Sequence, residues 1–91
     1  MNEKAWYGSD EMKFPRLWLT VPEGHFLLRW EMIENVIASP DFLSIGFECE
    51  YGTIKIFASE SLQELFEELQ LELLRRIDGT KIKIQFIKRK L

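Results

Sequence analysis

Apolar residues recur at Leu62, Leu65, Phe66, Leu69, Leu73 and Ile77, the three- and four-residue spacing of one buried helical face. The spacing predicts a single long helix over 61–77. Ser61 and Glu64 form a capping-box pair at its start, able to satisfy two orphan amides. Arg75 and Arg76 fall in the predicted last turn, where the helix dipole favours cations, and Gly79 offers a left-handed stop.

Upstream of this stretch the period changes to two. Leu17, Leu19 and Val21 alternate with Arg16, Trp18 and Thr20, which predicts a strand over 14–21 with Pro15 near its start. Pro22, Glu23 and Gly24 make a turn. The return strand, 25–30, sets Phe26, Leu28 and Trp30 against His25, Leu27 and Arg29. Residues 31–38 carry Met32, Ile33, Val36 and Ile37 at helical spacing, and a short helix ended by Ser39 and Pro40 is expected. A second hairpin follows, with Leu43, Ile45, Phe47, Cys49, Ile54, Ile56 and Ala58 on its inner face. Taking Tyr51 and Gly52 as a two-residue turn pairs Cys49 with Ile54, Phe47 with Ile56, Glu48 with Lys55 and Gly46 with Phe57. After the helix, 81–88 alternates again, with Ile82, Ile84 and Phe86 inward. This strand is expected to return parallel to 53–58 as a right-handed crossover.

The predicted architecture is α+β: a mixed, mostly antiparallel sheet of about five strands, two hairpins plus a C-terminal strand. One long helix packs on one face and a short helix lies between the hairpins. Residues 1–13 read as a flexible tail, with Trp6 and Tyr7 docking back on the domain, and 14–91 as a single domain.

Composition narrows the function classes. The chain of 91 residues is 46% hydrophobic and 30% charged, a globular balance, and its net charge of −3 gives no global attraction to nucleic acid or anionic membrane. No apolar run approaches the roughly 20 residues that span a bilayer, so no membrane association is expected. One cysteine, Cys49, excludes an internal disulfide and fits a reducing compartment, and a cytoplasmic location is expected.

Candidate chemistry is sparse. A cysteine or serine nucleophile would need His25, the lone histidine, as its base, and Cys49 falls on the inward side of its strand. Glu48 and Glu50 share a strand face, but Lys55 opposite Glu48 makes that arrangement a surface ion pair. No metal-ligand spacing and no phosphate-binding glycine loop is present, so neither a cofactor nor catalysis is expected.

Binding is better supported. Residues 79–91 carry Lys81, Lys83, Lys88, Arg89 and Lys90 and no acid, a set able to neutralise phosphates. Against a polyanion stand Glu64, Glu67, Glu68 and Glu72 on the helix, and lysines also guard edge strands. Trp18, Leu27, Phe57 and Ile87 are all assigned to the sheet face opposite the core, with Leu71 and Leu74 beside or behind the helical stripe. Several apolar residues on one sheet face call for a cover. The reading is a small non-catalytic protein-interaction module, homodimeric or bound to a protein partner. The alternative is a nucleic-acid-binding accessory protein working through the basic C-terminal strand.

Overall fold

The computed structural model describes residues 4–9 and 11–89. Eight strands and one α-helix occur among the described residues: β1 (Trp6–Gly8), β2 (Arg16–Val21), β3 (Gly24–Arg29), β4 (Glu34–Ala38), β5 (Ser44–Cys49), β6 (Gly52–Phe57), α1 (Gln63–Leu71), β7 (Leu74–Asp78) and β8 (Lys83–Lys88). They form two four-stranded sheets. The first has the order β1-β7-β2-β3 and is mixed, since β7 runs antiparallel to β1 but parallel to β2. The second, β4-β5-β6-β8, is antiparallel throughout. The class is α+β, with more strands and a shorter helix than the sequence pattern predicts.

Alternation along each strand sends one set of side chains into a shared core. Leu17, Leu19, Val21, Leu28, Leu74 and Ile77 come from the first sheet; Ile45, Phe47, Cys49, Ile54 and Ile56 come from the second. Helix α1 adds Leu65 and Leu69, with Leu62 just before it. At the β3 and β8 edges the sheets meet through Phe26, whose ring centre lies 5.2 Å from that of Phe86 and 4.9 Å from that of Tyr51. No helix among the described residues is long and apolar enough to cross a membrane.

The helix is half the expected length. Glu72 turns left-handed (φ 60°), and the amides of Glu72 and Leu73 bond back to the carbonyls of Leu69 and Glu68, closing α1 after Leu71. Leu74 to Asp78 then serve as an inner strand of the first sheet, between β1 and β2, where Leu74 and Ile77 enter the core as strand residues. Arg75 and Arg76 are strand residues as well, and the expected capping box is not formed: Ser61 Oγ accepts from the Gln63 amide at 3.2 Å. Gly79 has a different use. Its amide donates to the Thr20 carbonyl at 2.7 Å, so close an approach that a Cβ would collide with that oxygen.

The short helix expected over 31–38 is replaced by one 3₁₀ turn (Trp30–Met32) followed by β4. Its pairing with β5 is irregular between Glu34 and Ile37, and Asn35 sits at φ 53°, which is why no clean alternation marks this strand.

In the β5–β6 hairpin the register differs by two residues from the predicted one. Phe47 pairs with Ile54, Ile45 with Ile56, Gly46 with Lys55, Ser44 with Phe57 and Glu48 with Thr53. Glu50 and Tyr51 make the turn, while Gly52 (φ 147°) begins β6 against the Ile87 carbonyl, where a Cβ has no room. A two-residue shift keeps every side chain on its face, so the inner set is unchanged. Strand β8 pairs antiparallel to β6, not parallel. Because β7 takes a full traverse of the first sheet after α1, the chain re-enters the second sheet from the opposite end. Within the stretch expected as a tail, Trp6–Gly8 pairs with β7, and Trp6 packs against the core.

Candidate functional site

The parallel pairing of β7 with β2 sets Arg76 beside Trp18 and Asp78 beside Thr20. The neighbouring ladders add His25, partner of Thr20, and Tyr7, partner of Arg76. These six side chains occupy the outer side of the first sheet, because Leu17, Leu19 and Ile77 take the inward positions between them.

Their contacts form one connected layer. The Arg76 guanidinium carbon lies 4.0 Å from the centre of the Trp18 ring. Its Nε and Nη2 donate to Thr20 Oγ1 at 3.3 and 3.0 Å, and Nη1 donates to the Tyr7 hydroxyl at 3.4 Å. Nη2 also lies 3.7 Å from Asp78 Oδ2. The Trp18 indole N–H, a donor only, reaches His25 Nδ1 at 3.0 Å. The network therefore makes Nδ1 an acceptor and sets the ring N–H at Nε2, and the Thr20 hydroxyl, 3.1 Å from Nδ1, shares that one lone pair with the indole. Thr20 Oγ1 thus accepts from the arginine and gives its own proton to the histidine. Buried between the two, that hydroxyl braces the layer.

Asp78 is held below the usual carboxylate range, first by the Thr80 hydroxyl (2.7 Å) and then by the Thr80 amide (3.0 Å). Burial opposes this, and the charges of Arg76 and Lys81 assist it.

A second surface lies on the outer side of the second sheet. Ile37, Gly46, Lys55 and Gln85 are partners in one row across its four strands. Ser44, Phe57 and Lys83 form the row on one side; Glu34, Glu48, Thr53 and Ile87 form the row on the other. With no side chain at Gly46, the face holds a shallow depression of about 530 Å³ lined by Ile37, Ser44, Glu48, Lys55 and Phe57 among others. Ile37 is 69% exposed, Phe57 36% and Ile87 44%. Lys83 Nζ stands 5.6 Å from the Phe57 ring centre, and the Asn35 amide donates to Glu48.

The residues singled out as one interface are thus divided. Trp18 and Leu27 belong to the outer side of the first sheet; Phe57 and Ile87 belong to that of the second. Leu71 ends α1 and is 54% exposed, whereas Leu74 is 0% exposed and is a core residue, because it lies in β7 and not on a helix flank. The basic C-terminal residues do not share one direction either. Lys81 Nζ lies 4.0 Å from Asp78 Oδ2, and Lys83 belongs to the outer face of the second sheet. Lys88 ends β8, and the Arg89 guanidinium donates to the Cys49 carbonyl at 3.3 Å. Lys90 lies outside the described residues.

Cys49 is in the core, where burial pushes its thiol up, and His25 is on the far side of the first sheet, so the two do not meet. Glu50 Oε2 accepts the Arg29 amide at 3.0 Å, and Glu48 faces Thr53 where Lys55 was expected. Sequence reasoning missed Thr20, Arg76 and Asp78 as a group, and Ile37 as an exposed strand residue. The short run Arg75-Arg76-Ile77-Asp78, ending at a glycine, carried a weak strand signal that the helical stripe outweighed.

No protein-family model, curated protein or solved structure matches this chain.

Proposed function

We propose that the chain is a non-catalytic interaction module that pairs with a second copy of itself through the outer face of the second sheet. The carrying observation is how charge divides across that sheet. On this face β4 and β5 bear Glu34 and Glu48 and no base, whereas β6 and β8 bear Lys55 and Lys83 and no acid. Exposed Ile37 and Phe57 lie in the same face. A two-fold axis along the strands lays β4 of one copy over β8 of the other and β5 over β6, which brings Lys55 of each copy within one row of the other's Glu48, with the apolar residues around them. An axis across the strands lays each strand over its own copy, with Lys55 against Lys55 in the central row, and is disfavoured on that ground. Glu34 stands directly opposite Glu48, an unfavourable pair within one protomer that lysines of a second copy relieve.

Light scattering on a sizing column at two protein concentrations tests the reading. A dimer is expected, with Phe57→Glu shifting it to monomer. Glu48→Lys and Lys55→Glu should each weaken it, and the double exchange should restore it. A wild-type monomer at both concentrations would end the proposal.

A further inference from the structure

The first sheet has a charge character unlike the rest of the chain. Its four strands carry Arg16, Arg29, Arg75 and Arg76 and a single carboxylate, Asp78. Asp78 is buried and offsets the Arg76 charge 3.7 Å away, so the outward positive charge rests on Arg16, Arg75 and Arg29. The acids of the helix, Glu64, Glu67 and Glu68, belong to another element, and Glu64 is paired with Lys4 at 2.8 Å. A chain of net charge −3 therefore keeps one basic sheet face.

On this face Arg16 and Arg29 are direct partners across β2 and β3, a like-charge pair that Glu50 relieves at Arg29 and that leaves Arg16 for an anion. Both are exposed, as is Arg75 beside the irregularity in β7, and Arg29 Nε is 3.5 Å from Glu50 Oε2. Between the arginines run the exposed Tyr7 ring, the Arg76 guanidinium stacked on Trp18, and His25 with its ring centre 5.7 Å from that of Trp18. Flat rings and guanidinium planes set among fixed cations are the two chemistries that single-stranded nucleic acid needs: stacking for bases, charge for phosphates. An acidic peptide would use the arginines but gain nothing from the stacked layer.

We infer that the outer face of the first sheet binds single-stranded nucleic acid, with Arg16, Arg29 and Arg75 on phosphates and the Tyr7–Arg76–Trp18–His25 layer under bases. The site lies on the opposite sheet from the self-association surface and stands or falls separately from it.

Fluorescence anisotropy with a labelled oligothymidylate and oligouridylate of roughly 12 nucleotides tests this on the full chain. Saturable binding is expected at about 50 mM salt, weakening steeply by about 200 mM. Arg16→Glu with Arg75→Glu, both exposed positions, should weaken it about tenfold or more. Trp18→Leu should weaken it about tenfold with little change in salt slope, while Trp18→Phe stays within about threefold. Glu67→Gln, at an exposed position of α1 outside both sheet faces, should leave it unchanged. Absence of saturable binding, equal affinity for polyphosphate of matched charge, or indifference to Trp18→Leu in a variant whose circular dichroism is native would overturn the inference.

Discussion

Trp18 and Arg76 are 58 residues apart in sequence and direct partners in a parallel ladder, with the guanidinium carbon 4.0 Å from the ring centre. That pairing fixes Thr20, His25 and Tyr7 around it. Arg76→Lys keeps the charge but loses the planar stack and the fork onto Thr20. It should cost about 1–2 kcal/mol in urea unfolding. Arg75→Lys, at the exposed neighbouring position, should stay within about 0.5 kcal/mol. Equal effects would mean that the stack adds nothing.

Asp78 gives the fold an acid limit. Its folded pKa is depressed by the Thr80 hydrogen bonds, so the stabilisation it brings is present above the ordinary carboxylate range. It fades as pH falls below about 4 and through the depressed value. Unfolding midpoints between neutral pH and about pH 3 should drop more in the wild type than in Asp78→Asn. Parallel curves would show that Asp78 is not the titrating group.

Cys49 should be silent toward alkylation in the folded chain. The thiolate is the reacting form, and burial both raises the thiol's pKa and closes access to it. Iodoacetamide labelling at about pH 8 should proceed only as fast as the molecule opens, and should accelerate across the urea transition. Rapid labelling in native buffer would place the sulfur at the surface.

Glu72 holds the left-handed position that ends α1, where a side chain costs about 1 kcal/mol relative to glycine. Glu72→Gly should therefore stabilise the protein by about 0.5–1 kcal/mol despite the freedom that glycine adds to the unfolded chain. A loss of stability would indicate that the Glu72 side chain makes compensating contacts.

The two sides of the helix should answer differently to truncation. Leu65→Ala removes a fully buried side chain and should cost about 2–5 kcal/mol. Leu71→Ala, at an exposed position, should cost under about 0.5 kcal/mol. Thermal and urea unfolding of both variants would check the contrast.

The local patterns were legible and the long-range ones were not. The β2–β3 and β5–β6 hairpins follow from alternation because each strand buries one face and has its partner next in sequence. The start of the helix follows from Leu62, Leu65 and Leu69 in the same way. Leu73 and Ile77 continue that spacing, yet β2 needs a neighbour and the short strand from Leu74 provides it. Nothing within 61–78 records that demand, which comes from residues more than fifty positions away. For the same reason Thr20, Arg76 and Asp78 could not be recognised as neighbours. Ile37 was hidden otherwise, by a bulged strand whose irregular turn at Asn35 mimics helical spacing.

The placement of β7 between β1 and β2 has a consequence for the chain as it leaves the ribosome. Strands β2 and β3 emerge early, but the open edge of β2 has no partner until residue 78 has been made. Until then the nascent chain carries an exposed, hydrophobic β ladder of the kind that recruits other chains. Truncation ahead of Leu74 would remove an inner strand of a sheet, leaving β1 with nothing to join. Leu74 to Asp78 are what turn an aggregation-prone hairpin into a closed sheet.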